Sequence, residues 1–324
     1  MLNLRFDCES KTILDMKKIF VSIAALFAAA FVLSAQNMAD ATEIAKLANE
    51  SLSEGNYETA LNGFKEALKM AEACGDEGLE LVATCKEIIP KTMNAIAKAE
   101  LANKNYDAAV AKFQETIAVA EEYGDEDTAA KAKDLIPQIY MQKGGSLLNN
   151  KEFEGAAEAY AKVLELDAAN GVAALRYGMC LEGAGKADEA EAAYKLASEN
   201  GQEKNATAQL GKMYLKRAVA SLKAKKYADA VKEALVSNEY TPNPQCLQIA
   251  GQASQLSGKN NDAIKYFEQY LTVAPDAKNA GQIAYTVGAL YQQTKNNAKA
   301  KEYFSKAVSD PKYGADAKKA LSAL

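Results

Sequence analysis

Along residues 281–311 the apolar positions fall into two short runs of helical period separated by a polar break. Ile283, Val287, Leu290 and Tyr291 recur on one face of a first predicted helix. Thr294-Lys295-Asn296-Asn297 interrupts the pattern, and Ala300, Tyr303, Phe304 and Ala307 mark one face of a second helix. A helix pair this short cannot bury its apolar face alone, so it requires neighbours of the same kind.

The chain supplies them. An alanine recurs early in each second helix, at Ala60, Ala109, Ala156, Ala190, Ala230, Ala263 and Ala300. Four residues later stands an aromatic, at Phe64, Phe113, Tyr160, Tyr194, Phe267 and Phe304, with Ala234 the exception. Twelve residues before each alanine lies a small residue: Ala48, Ala97, Gly144, Gly178, Ala218, Gly251 and Gly288. A small residue on one helix lets the partner's alanine and aromatic approach its backbone, at an interaxial distance of about 8–10 Å. Tyr57, Tyr106, Phe153 and Tyr227 open second helices, and Pro242 and Pro275 stand where second helices must end.

The pattern resembles the tetratricopeptide repeat, a helix–turn–helix unit of about 34 residues. Tyr177-Gly178, Leu181, Ala190, Tyr194 and Ala197 carry the resemblance, as do Gly288, Tyr291, Ala300, Phe304 and Ala307, and it extends from about Ala41 to Pro311. It departs from the family in lacking tryptophan throughout and in the uneven spacing of the marker alanines. The resemblance implies an all-α, right-handed α-solenoid of about seven such repeats, whose first helices line a concave face that holds proteins or peptides. Met70–Pro90 and Val119–Pro137 resemble each other, each with a Gly-Asp-Glu break, at Gly75 and Gly124. The first two repeats are therefore expected to have extended helices. The expected organisation is repeats one to four over 36–197, a polar loop or hinge over 198–210, repeats five to seven over 211–313, and a capping helix over 314–324.

The N-terminus reads differently. Met16-Lys17-Lys18, the apolar run Ile19–Leu33 and the small residues to Ala35 have the order of a secretory signal peptide, cleaved before Gln36. The run is short for a bilayer-spanning helix, so no stable membrane span is expected after its removal. Residues 1–15 are charged and patternless, an upstream extension if translation starts at Met16. The expected location is periplasmic or secreted.

Composition narrows the chemistry. The 324 residues carry a formal charge of −5 and no histidine. Imidazole bases, His-containing triads and His metal ligands are thereby excluded. Mild acidity opposes nucleic-acid binding, although the fifth repeat is basic, with Lys212, Lys216, Arg217, Lys223, Lys225 and Lys226. Arg217 and Lys216 are expected to meet Glu182 or Glu189. Acidic runs such as Asp125-Glu126-Asp127 lack calcium-loop spacing and read as helix caps and surface. No cofactor, metal or catalytic constellation is expected, and the chain is read as a non-enzyme.

Gln245, Gln248, Gln252 and Gln255 recur at steps of three and four on one helix face. Gln282, Tyr285, Gln292 and Gln293 continue a comparable stripe on the next repeat. Amides donate and accept at once, so such a wall suits extended peptide backbone or sugar hydroxyls; a plain solvated face is the alternative. Lys91, Asn94 and Lys98 occupy the analogous stripe of the second repeat. Family members that clamp carboxyl termini use Lys and Asn there, so the resemblance extends that role to these three. Cys180 and Cys246 are expected as buried thiols, while Cys74 and Cys85 flank the Gly75 break and are open to pairing in an exported protein. The function expected is an interaction scaffold of the cell envelope, or a structural component of a multi-subunit envelope assembly.

Overall fold

The computed structural model describes residues 36–324, and no strand occurs among them. The signal segment expected over 16–35 and the extension over 1–15 lie outside the described residues. The chain divides into two compact units, one ending at Ser146 and the other beginning at Leu147.

In the first unit α1 spans 36–53, α2 Tyr57–Ala73, α3 Leu79–Ala102 and α4 Tyr106–Tyr123. Helix α5, Glu126–Asn149, begins there and ends just past the division. The second unit holds α6 Phe153–Leu166, α7 Gly171–Gly183, α8 Ala187–Ala197, α9 Glu203–Lys223, α10 Tyr227–Tyr240, α11 Pro244–Leu256, α12 Asn260–Val273, α13 Ala280–Gln293, α14 Asn297–Ala307 and α15 Gly314–Ser322. Helices α6, α4, α2 and α10 begin at the aromatics expected to open them, and α10 and α12 end two residues before Pro242 and Pro275.

One turn geometry recurs seven times. The residue five before each marker alanine has positive φ: Gly55, Lys104, Lys151, Gly185, Lys225, Gly258 and Lys295, between 60° and 81°. The next residue's N–H then reaches back five residues, as in Asn105 N to Glu100 O (3.0 Å) and Asn296 N to Tyr291 O (2.9 Å). That is the Schellman closure, which satisfies carbonyls the helix end leaves open. Each marker alanine in turn donates to the carbonyl four residues back, starting the second helix.

The marker residues hold the hairpins together. All seven alanines are wholly buried, and the six aromatics are 4% exposed or less. At Gly178, Gly251 and Gly288 a Cβ would stand 2.6–2.7 Å from the ring of Tyr194, Phe267 and Phe304. Aromatic and glycine are thus packed face to backbone. In α9 and α10 the aromatic is replaced by Ala234, and the residue opposite is Ala218.

Helices α3 and α5 are both 24 residues, each with a proline inside, Pro90 and Pro137. The two Gly-Asp-Glu breaks differ in detail. At the first, Gly75–Gly78 forms a turn of 3-10 helix; at the second, Gly124 ends α4 in the left-handed region and Asp125 caps α5, accepting from Thr128 N at 3.0 Å.

The polar stretch 198–210 is not a loop. Only Ser198–Gln202 interrupts the helices, as a π turn with Asn200 and Gly201 outside helical backbone angles. From Glu203 onward the chain is α9, because Ala206, Leu210 and Met213 at steps of four and three give it a buried face that its polar residues mask in the sequence. The division between compact units falls at 146/147 instead, and 198–210 lies inside the second unit.

Candidate functional site

Helix α11 starts at an N-cap built by Asn243, whose side chain accepts from Gln245 N at 2.9 Å, followed by Pro244 at the first helical position. Its buried face is Cys246, Leu247, Ile249, Ala250, Ala253 and Ser254. The glutamines occupy the opposite side. Helix α13 buries Ile283, Ala284, Val287, Gly288 and Leu290, which turns Gln282 and Thr286 outward.

Gln248, Gln252 and Gln255 of α11 meet Gln282 and Thr286 of α13 around one concavity of about 140 Å³, with Asn279 at its edge. Phe267 from α12 and Ile283 form its apolar floor. The volume is several times the roughly 30 Å³ share of one liquid water, enough for a side chain or a short run of backbone. No charged side chain lines it. The Tyr270 hydroxyl donates to Asn279 Oδ1, which leaves the Asn279 amide nitrogen as a donor. Thr286 Oγ1 donates to Gln282 O at 3.0 Å, leaving its oxygen lone pairs to accept.

The other predicted stripe residues stand apart from this concavity. Gln245 sits at the start of α11 and Gln292 near the end of α13, both exposed and neither lining it. Tyr285 does not belong to the stripe. Its ring lies 5.4 Å from Phe304 and 5.5 Å from Tyr313, packed among α13, α14 and the start of α15. Three residues beyond Gln282 the helix surface has turned toward α14, whereas Thr286, four beyond, keeps the α11 side. Thr286, Asn279 and the Phe267 floor escaped the sequence reading. The i+4 rule pointed to Thr286; nothing local pointed to Asn279.

Lys91, Asn94 and Lys98 are in the first unit, on α3. Lys91 pairs with Glu87 of its own helix at 2.7 Å, and that hydrogen bond raises its pKa. Lys98 is exposed, and Asn94 Oδ1 is buried without a hydrogen-bond partner.

Two of the fifth repeat's basic residues pair with carboxylates of the preceding repeat. Lys216 lies 3.6 Å from Glu182, as expected, but Arg217 reaches Asp188 (2.8 Å) and Glu191 (3.2 Å), not Glu189. Asp188 and Glu191, three apart on α8, share the face toward α9, while Glu189 is rotated off it. Burial works to raise the Glu191 pKa, but bonds from Lys195 and Tyr214 and the charges of Lys195 and Arg217 outweigh it and lower it.

The four cysteines among the described residues carry thiols. Cys74 turns its Sγ to Met70 O of its own helix (3.2 Å), whereas Cys85 is buried in the core of the first hairpins; the structure does not pair them. Burial pushes the Cys85 and Cys246 thiols up and Cys180 to about 11. Thiols held this far above neutral pH are poor nucleophiles.

Family models described as tetratricopeptide repeat match residues 147–213 and 281–309. Over these two segments the chain carries tetratricopeptide repeats. The first match runs from the end of α5 into α9 and the second covers α13 and α14, together under a third of the sequence. Neither indicates an enzyme family. No curated protein matches the chain. Among solved structures, one titled as the crystal structure of MamA protein is 20% identical, covering 56% of this chain and 96% of its own, with a TM-score of 0.35. MamA 41-end from Desulfovibrio magneticus RS-1 is 14% identical, covering 53% and 92%, with a TM-score of 0.33.

Proposed function

We propose that this protein is an exported, non-catalytic scaffold that holds a protein or peptide partner on the first-helix face of its repeats. The observation that carries the reading is the uncharged amide concavity, where three glutamines of α11 and one of α13 converge over an aromatic floor. Such a wall pairs with the N–H and C=O groups of an extended segment, each bond contributing about 0.5–1.5 kcal/mol net. On α7, the positions equivalent to Gln245 and Gln252 are Val172 and Met179, both exposed large apolar residues on the corresponding face. The partner segment therefore meets apolar side chains at one repeat and amides at another. Export is supported by the basic start at Met16-Lys17-Lys18 and the apolar run that follows it. Net negative charge, and an Arg217 already held by two carboxylates, favour a protein partner over nucleic acid.

The test is site-directed photocrosslinking in intact cells from Thr286, with and without Gln248→Glu combined with Gln252→Glu. Capture from Thr286 is expected, and the paired carboxylates abolish it without changing the oligomeric mass. Capture that survives both changes sinks the binding-face reading; a lost oligomer points to an assembly component instead. N-terminal sequencing of the protein recovered from the cell envelope should begin at Gln36.

A further inference from the structure

On the other side of α13 from the amides lies a larger cavity, about 400 Å³, between α12, α13 and α14. Its walls are apolar at Leu271, Pro275 and Ala284, and its polar centre is Glu268. This carboxylate is half-buried and accepts from the Tyr291 hydroxyl at 2.7 Å, with the Tyr303 hydroxyl also against it. Among the described residues no Lys or Arg forms an ion pair with it. Lys306, at the rim, is held by Glu302 at 2.9 Å and lies 4.2 Å over the face of Tyr303.

Glu268 is therefore left without an ion-pair partner, since Lys299 and Lys306, the lysines near it, both pair with Glu302. A carboxylate offers about four acceptor positions, and the tyrosines use at most half of them. Leu271 and Thr272 belong to the last turn of α12, the negative end of its dipole, which favours a cation in the same space. The opposing positive end, at the start of α13, is already met by Asp310, whose carboxylate packs so closely on Gly281 that a Cβ there would stand 2.3 Å from Oδ2. We infer that this cavity binds an organic ammonium: a primary amine seated on Glu268, with its apolar body against Leu271, Pro275 and Ala284. The ligand exchanges hydration of its ammonium for the carboxylate and the α12 carbonyl end, while the tyrosines hold Glu268 in place.

The experiment is titration of the full chain with phenethylamine and, as the charge-reversed control of similar shape, 3-phenylpropionate, followed by calorimetry and NMR shifts. Phenethylamine is expected to saturate the site, with 3-phenylpropionate at least about tenfold weaker. Glu268→Gln should weaken phenethylamine by about tenfold or more, the loss expected for a charged hydrogen bond. A second variant guards against misfolding. Thr272 is exposed and four residues beyond Glu268, so Thr272→Arg places the chain's own cation on the carboxylate and should block binding with the fold intact. Nα-acetyllysine methylamide distinguishes the source: tighter binding than phenethylamine assigns the ammonium to a lysine of another polypeptide, weaker binding to a free amine. No saturable binding, equal affinity for the amine and the acid, or unchanged affinity in either variant overturns the inference.

Discussion

Gly288→Ala tests the packing that defines the hairpins. A Cβ at 288 would lie 2.7, 2.9 and 3.0 Å from Cδ1, Cε1 and Cγ of Phe304. Ordinary carbon contacts sit at about 3.5–4.0 Å, so the ring must retreat by most of an ångström. It has little room: Phe304 is 1% exposed and packed with the buried Ala284, Ala300, Ala307 and Ala317. Overpacking of this kind costs about 1–3 kcal/mol, against which alanine's better helix propensity returns about 1 kcal/mol. Gly155→Ala in α6 provides the control, since its nearest neighbour is the end of the Leu147 side chain at 3.4 Å. Both substitutions gain helix propensity, so their difference isolates the packing cost, about 1–3 kcal/mol. A row of hairpins need not unfold in one step, so hydrogen exchange of α13 and α14 amides should accompany denaturant melts. Adding Phe304→Ala recreates the Ala218–Ala234 pairing of α9 and α10, and the double variant should recover part of the Gly288→Ala cost through a coupling of about 1 kcal/mol. If Gly288→Ala proves as favourable as Gly155→Ala, the glycine-to-ring contact is not what sets the approach of the helices.

Other consequences are testable in the same material. Lys295→Gly and Lys104→Gly remove a non-glycine residue from the left-handed region, which costs roughly 1–2 kcal/mol, less the entropy glycine adds to the unfolded chain; each should stabilise by about 0.5–1 kcal/mol in denaturant melts, and a loss would contradict the turn geometry. Arg217→Ala should destabilise by roughly 1 kcal/mol or less at neutral pH by removing one of the partners of Glu191, with Lys195 still paired to it. Because the Glu191 pKa is lowered on folding, its contribution is present above the unfolded carboxylate pKa and lost as pH falls through the folded one; the gap between variant and parent should close on acidification and is read from paired melts. At the alkaline end, burial and the bond to Glu268 push Tyr291 up to about 12. Folding then favours the neutral phenol, so this stability is complete below about pH 10 and fades as pH rises through about 12; ultraviolet titration of Tyr291→Phe against the parent should show one fewer late-ionising tyrosine.

Most of the hairpin framework was legible in the sequence, because the constraint behind it is local and repeated. The distance from each small residue to its marker alanine is set by helix pitch and a turn of one geometry, so Gly178, Ala190 and Tyr194 could be recognised together without coordinates. Helix starts at Tyr57, Tyr106, Phe153 and Tyr227 and the breaks before Pro242 and Pro275 were legible for the same reason. The stretch 198–210 misled because polar residues dominate it, while a sparse apolar face at Ala206, Leu210 and Met213 is all α9 needs once α10 covers it.

What only the tertiary structure decided was which outward residues share a space. Spacing along one helix aligned Gln248, Gln252 and Gln255, but the packing of α12 against α13 brought Gln282, Thr286 and Asn279 to them and drew Tyr285 away onto Phe304. Likewise Glu268 is one carboxylate among many in the sequence, and its lack of an ion-pair partner among the described residues depends on Glu302 holding both Lys299 and Lys306 across the helix interface. Periodicity determines which face of a helix is buried. The rotation of one helix against the next, set by particular contacts such as Gly288 on Phe304, determines which exposed residues become neighbours.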